Sequence, residues 1–165
     1  MILFVDFKKA FDSVHRGKMM KILKTYQIPE NLREAIAKLY GNTKARIISP
    51  DGETKYFEIK AGVLQGDALA PYLFAIVLDY VMRRTYSDRE EELGFKLGRR
   101  RSSRHPATVI TDFADDIALI TEEFEQAQHL LERLENEAEQ IGLYCNSKKT
   151  EAQPFNQTNI GVIKA

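Results

Sequence analysis

The sequence holds one cysteine, Cys145, in 165 residues, so no intrachain disulfide can form. A lone thiol also fits a reducing compartment. No apolar run approaches the ~20 residues that carry a helix across a bilayer. No membrane partner is expected, and the expected location is intracellular, nuclear or cytoplasmic. The opening MILFVDFKK has apolar residues but no basic stretch before them and no small-residue cleavage site after them, so it does not read as a signal peptide. Net charge is missing as well: 24 Lys and Arg balance 24 Asp and Glu. A free-standing nucleic-acid binder is usually basic, so this balance argues against tight autonomous binding but not against a locally positive face. Internal repeats, low-complexity blocks and interdomain linkers are absent too.

What is present is an ordinary globular composition, 44% hydrophobic and 29% charged, and a length that suits one domain over 1–165. Ile2–Val5 is a continuous apolar run, which predicts a strand buried on both faces that ends in Asp6. DSVHRGKMMKILKTYQIP predicts one short helix that stops before Pro29, with Met19, Met20, Leu23 and Tyr26 inward. PENLREAIAKLYGN predicts a second helix. KARIISPDGETKYFEIKAG predicts a hairpin around Pro50, Asp51 and Gly52. GVLQGDALAPYLFAIVLDYVMRR opens on glycine and continues as an apolar helix, with Leu69, Leu73, Ile76, Val77, Tyr80 and Val81 at helical spacing. Residues 86–106 are charged and aperiodic, which predicts a loop. Strands are expected on both sides of FADD, Phe113–Asp116. Phe124, Ala127, Leu131, Leu134, Ala138 and Ile141 form one helical stripe, closed by Gly142. LYCNSKKTE predicts a short extended segment. Helices and strands mix without regular βαβ alternation, so the expected class is α+β.

The chemistry concentrates in FADD. Asp115 and Asp116 are a poor choice for a tight hairpin turn, which favours Asn-Gly, Asp-Gly or Gly-X. They also set like charges side by side, which is unfavourable without a cation. The bland alternative is a solvated acidic hairpin tip. Two features argue against it: the flanks are too apolar for an exposed hairpin, and Asp6 repeats the pattern of a buried strand that ends in a carboxylate. Neighbouring strands would bring Asp6 close to Asp115. Carboxylates converging without His or Cys make a hard-oxygen site that suits Mg²⁺ or Mn²⁺. Paired ions at such a site support phosphoryl transfer. The residues alone therefore reach metal-assisted phosphoryl or nucleotidyl transfer, with polymerase, nuclease and cyclase all open.

FVDFKKAFDSVHR, GVLQGDALAPYLF, FADDIALI and GLYCNSKKTE, in this order and spacing, resemble the palm motifs of reverse transcriptases. The form is similar to that of non-LTR (LINE-type) retrotransposons and their group II intron relatives, and it covers roughly Leu3 to Phe155. The resemblance implies a polymerase palm: an antiparallel, ferredoxin-like sheet with helices packed on one face. It implies an RNA-directed DNA polymerase that adds dNTPs to a primer 3′-OH on an RNA template, using Mg²⁺ or Mn²⁺.

Residue by residue, Asp6, Asp115 and Asp116 match the metal-binding aspartates, with Asp115 the firmer ligand of the pair. Phe7 and Lys8 stand where the family uses backbone N–H groups to hold the triphosphate, and Phe7 joins the implied metal site. Phe11 matches the aromatic gate against a ribose 2′-OH; its plain alternative is a core aromatic. Gln65 matches the glutamine near nucleotide and template. Gly66, with Gly62, would allow close backbone approach; the alternative is a helix-entry turn. Lys149 matches the lysine that protonates the leaving pyrophosphate, with Lys148 as fallback. Asp12 and Arg16 are expected as helix-capping and supporting groups, and Asp112 is expected to be offset from Asp115. The basic run GRRRSSRH could touch phosphates or be a solvated loop.

The sequence departs from the family in beginning almost on Asp6, without fingers before the palm or thumb after it. Ala70 also stands where serine is common. Missing partners imply exposed apolar surface and self-association. The competing expectation is a catalytically inactive palm fragment that serves as a structural or interaction module.

Overall fold

The computed structural model describes residues 1–86, 110–113 and 115–154, with the backbone alone at 110–113. The basic run GRRRSSRH, most of the predicted 86–106 loop and the last eleven residues lie outside the described residues. The chain is α+β. Four strands form one antiparallel sheet in the order β6-β7-β1-β8, where β1 is Ile2–Val5, β6 Ile110–Phe113, β7 Asp116–Ile120 and β8 Glu151–Gln153.

Central placement explains the apolar character of β1, which pairs with β7 on one edge and β8 on the other. Among the described residues only one face is covered, however. Leu3 and Val5 are 1% and 2% exposed, whereas Phe4 between them is 44% exposed. The expectation of burial on both faces is corrected: helices pack on one side, and strand alternation sends Phe4 to the other.

Helix α1 is Ala10–Ser13, α2 Arg16–Thr25, α3 Glu30–Gly41, α4 Ala70–Tyr86 and α5 Phe124–Glu139. Residues Leu73, Phe74 and Val77 of α4 and Leu130, Leu131 and Leu134 of α5 share one core with Leu3, Val5, Ile117 and Leu119 of the sheet. Helix α5 starts on a capping box between Glu123 and Gln126, which satisfies backbone donors that the first turn leaves open. Arg84 bonds Glu137 at 2.6 Å and joins α4 to α5. The Tyr26 hydroxyl donates to Asp79 at 2.5 Å and joins α2 to α4. Burial and that bond push the Tyr26 phenol up to about 12. Burial alone would raise Asp79, but hydrogen bonds from Arg83 and Tyr26 outweigh it and hold the carboxyl below its ordinary value.

Four features differ from expectation. The single helix before Pro29 is two helices, because Val14 is extended and the His15 side chain caps α2 by accepting from Lys18 N. Helix α4 begins at Ala70 rather than beside Gly62, because Gly62 and Gly66 take φ of +79° and +87°, outside helical space. The predicted hairpin is two short ladders: Lys44–Ala45 (β2) pairs with Phe57–Glu58 (β5), and Ile48–Ser49 (β3) pairs with Gly52–Glu53 (β4). Tyr86, expected in the loop, ends α4. No helix among the described residues is long and apolar enough to cross a membrane.

Candidate active site at the end of the open sheet

Strands β1 and β7 run antiparallel, with Phe4 opposite Ala118 and Val5 opposite Ile117. One further step along that register sets Asp6 across from Asp116. Directly opposed residues of an antiparallel pair lie about 4.5–5.5 Å apart at Cα. Alternation places both on the face of Phe4, away from the helices. Phe113 pairs with Asp116, so Asp116 belongs to the ladder. The sequence had suggested Asp115 and Asp116 as adjacent turn residues. In the fold, Asp115 is the turn residue, half-buried, and Asp116 is the exposed first residue of β7. Asp112 pairs with Ile117, offset along the strand from Asp115.

Asp6 is the most engaged of the three. Its side chain is 20% exposed and lies 3.6 Å from the Lys149 ammonium. Asn146 Nδ2 donates to Asp6 Oδ2 at 3.0 Å. The backbone N–H of Asn146 donates to the Asp6 carbonyl at 2.8 Å. Among the described residues, no three His, Cys, Asp or Glu side chains are gathered so as to hold a metal ion. The donors at this end of the sheet are nonetheless all oxygens, and Asp6 already sits beside a cation, so the donor chemistry fits a hard divalent ion.

Backbone hydrogen bonds sort the next two residues. Phe7 bridges Cys145, and the flanking bonds are Lys8 N to Tyr144 O and Asn146 N to Asp6 O, both 2.8 Å. Alternation then directs the N–H and carbonyl of Phe7 to the opposite edge, the β7 side. The Phe7 ring is buried at 3% exposure, so only its backbone can meet a ligand. The Lys8 N–H, expected to face a triphosphate, already has Tyr144 as its acceptor. Lys9 follows with φ 49° and ψ 47°. That left-handed turn, braced by Ser13 Oγ donating to the Lys8 and Lys9 carbonyls at 2.9 Å, swings the chain from β1 into α1. Nothing in the sequence announces it.

Helix α1 and the loop after Gly62 then meet. Gly62 N donates to Val14 O at 2.8 Å and Val63 N to Phe11 O at 2.7 Å. A Cβ on Gly62 would lie 2.6 Å from the Asp12 Cα, so its close approach is to α1 rather than to a ligand. Gly66 has open space around it. Gln65 is exposed, and its amide donates to Asp12 Oδ1 at 3.3 Å. Asp12 therefore sits inside α1 and holds Gln65; it caps no helix. The Phe11 ring stacks on Phe74 with centroids 4.4 Å apart and stays half-buried, so it serves the core and presents surface at once. Arg16 donates to the carbonyls of Gly62, Tyr40 and Ile59 at 2.9, 2.6 and 2.8 Å. It fixes this loop against the end of α3, and desolvation by burial lowers its pKa.

Lys148 is exposed and its backbone N–H closes a turn on Asn146 Oδ1 at 3.3 Å. Burial pushes the Cys145 thiol up to about 12, which disfavours its thiolate form. The register thus sets Asp6 across from Asp116, with Asp115 in the adjoining turn and Lys149 3.6 Å from Asp6, while Phe11 lies on α1 and Gln65 on the loop that α1 holds. The sequence reading missed Asn146, although it stands in the NSKK turn. An Asn at the start of a turn was the available signal.

An α+β domain whose two central strands end in aspartates on an uncovered sheet face is the class that this geometry defines. The chain belongs to the reverse transcriptase family: residues 1–162 match the family described as Reverse transcriptase (RNA-dependent DNA polymerase). It is 34% identical over 148 residues to a Pol polyprotein of the retrotransposable element R2 from Nasonia vitripennis, covering 90% of this chain and 14% of that protein. It is 29% identical over 145 residues to the R2DM Pol polyprotein of Drosophila melanogaster, covering 88% of this chain and 13% of that one. The fold is similar to telomerase from Candida tropicalis, at TM-score 0.69 and 15% identity over 97% of this chain and 32% of that structure. It is also similar to telomerase from Candida albicans, at TM-score 0.65 and 15% identity over 96% of this chain and 27% of that structure.

Proposed function

We propose that the chain is the palm of an RNA-directed DNA polymerase that adds dNTPs to a primer 3′-OH on an RNA template. The observation that carries this reading is the β1–β7 register, which sets Asp6 across from Asp116 with Asp115 in the adjoining turn. The element order, β1 then helices, a β6–β7 hairpin, α5 and β8, and the sheet order β6-β7-β1-β8 support a ferredoxin-like palm.

Asp6, Asp115 and Asp116, with the Phe7 carbonyl, would hold Mg²⁺ or Mn²⁺. The bound ion would supply charge neutralisation on the phosphates and a more acidic 3′-OH. The protein's own groups do the rest. Phe11, backed by Phe74, forms a rigid surface against the sugar and leaves no room for a 2′-OH. Gln65, steadied by Asp12, meets the nucleotide and template. Lys149 gives a proton to the departing pyrophosphate. RNA template, DNA primer and dNTP are the proposed partners, together with fingers and thumb regions that grip the duplex and triphosphate.

A second reading, an inactive palm serving as an interaction module, is favoured by the Lys149 contact that occupies Asp6 and by the lack of a gathered three-carboxylate group among the described residues. Primer extension on an RNA template with dNTPs and Mg²⁺ or Mn²⁺ separates the two. Templated extension is expected, and Asp115→Asn should reduce it at least 100-fold, as the loss of a group that stabilises transition-state charge does. Folded protein that never extends a primer would favour the inactive module.

A further inference from the structure

We infer that Asn146 is a positioning residue that holds the Asp6 carboxylate for a divalent cation. The inference rests on the metal reading above and goes beyond it, because Asn146 belongs to none of the groups assigned there. Its side-chain amide has two partners of opposite kind. Nδ2 donates to Asp6 Oδ2 at 3.0 Å, and Oδ1 accepts from Lys148 N at 3.3 Å. A carboxylate only accepts and a backbone N–H only donates, so the two partners fix the orientation of the amide.

The backbone completes the grip. Asn146 N donates to the Asp6 carbonyl at 2.8 Å, while the Asn146 carbonyl accepts from Lys149 N and Thr150 N at 2.9 Å each. The 146–150 turn is therefore clamped to Asp6 by main chain and side chain together. Both side-chain contacts to the Asp6 carboxylate, from Asn146 and from Lys149, fall on Oδ2. Among the described residues no hydrogen bond reaches Oδ1. One oxygen is tethered, which leaves the other for an ion. A carboxylate held in this way keeps its orientation before an ion arrives, and loss of such an outer partner typically weakens metal affinity 10–100-fold.

The test is Mn²⁺ binding to the chain, read by the electron paramagnetic resonance signal of free Mn²⁺, beside the thermal midpoint without ion. Asn146→Ser keeps a short acceptor for the turn but cannot reach Asp6. It is expected to weaken Mn²⁺ binding about tenfold or more with little change in the ion-free midpoint. Wild-type affinity in Asn146→Ser would overturn the inference and leave the metal reading standing. Wild-type affinity in Asp6→Asn, or no Mn²⁺ binding by the native chain, would sink the metal reading and the inference with it. If Asn146→Ser unfolds, Asn146→Thr, which also keeps a turn acceptor and lacks the amide donor, decides by the same reading: Mn²⁺ binding weaker by about tenfold or more is expected, and wild-type affinity would overturn the inference.

Discussion

At the scale of single residues, the telling pair is Asp6 and Lys149. The lysine is 68% exposed while the aspartate is 20% exposed, so the partner that can swing away is the lysine. Mostly exposed ion pairs are worth about 0–1 kcal/mol, and a divalent ion should displace this one readily. Lys149→Met is expected to tighten Mn²⁺ binding by roughly two- to fivefold, the factor that 0.5–1 kcal/mol of competition represents. Isothermal titration at neutral pH would read it, and unchanged affinity would mean that the lysine does not compete. Asp6, Asp115 and Asp116 stand out as candidates in the sequence because acidic residues interrupt or close apolar runs there, a local pattern. Asn146 does not, because its role depends on a partner 140 positions away. Lys8 was misjudged for a similar reason: the acceptor of its N–H, Tyr144 O, lies on another segment.

At the scale of elements, local signals located β1, α3, the strands around FADD and α5: an apolar run, a proline start with a Gly-Asn stop, apolar flanks and a helical stripe. The start of α4 was less sharply marked: the stretch opens on glycines, and Leu69, the first residue at helical spacing, lies one position before the helix. The two glycines should differ in what they tolerate. Gly62→Ala meets both a positive φ and the Asp12 backbone at 2.6 Å, whereas Gly66→Ala meets only the positive φ. Gly66→Ala is expected to cost about 1 kcal/mol of stability and Gly62→Ala about 3 kcal/mol or more. Urea unfolding of the two variants should rank them in that order, and equal midpoints would refute the close packing of the loop on α1. Because that loop carries Gln65, Gly62→Ala should disturb the candidate site as well as the fold.

At the scale of the whole molecule, strand order was beyond the sequence, since it depends on which distant runs pair. Only the class, the approximate set of strands and the side-by-side placing of the runs that carry Asp6 and Asp115 could be read. The surface was partly legible. An apolar cavity of about 460 Å³ between α2, α3 and α4 is bordered by Leu32, Leu39 and Tyr72, which are 51%, 52% and 70% exposed. Solvated apolar surface of this kind drives association of copies. Leu39→Glu should reduce concentration-dependent association in sedimentation velocity while shifting stability by no more than about 0.5 kcal/mol, as exposed substitutions do. Association that persists unchanged would place the contact elsewhere. The sheet itself sets an order in time. Ile2 pairs with Ile120 on one side and Gln153 on the other. During synthesis β1 therefore emerges with both edges bare and waits for Ile120 before one is covered and for Gln153 before the other. Such long-range pairing folds slowly and leaves strand edges open to other chains. The strand that carries the first aspartate is thus the segment most in need of protection while the protein is being made.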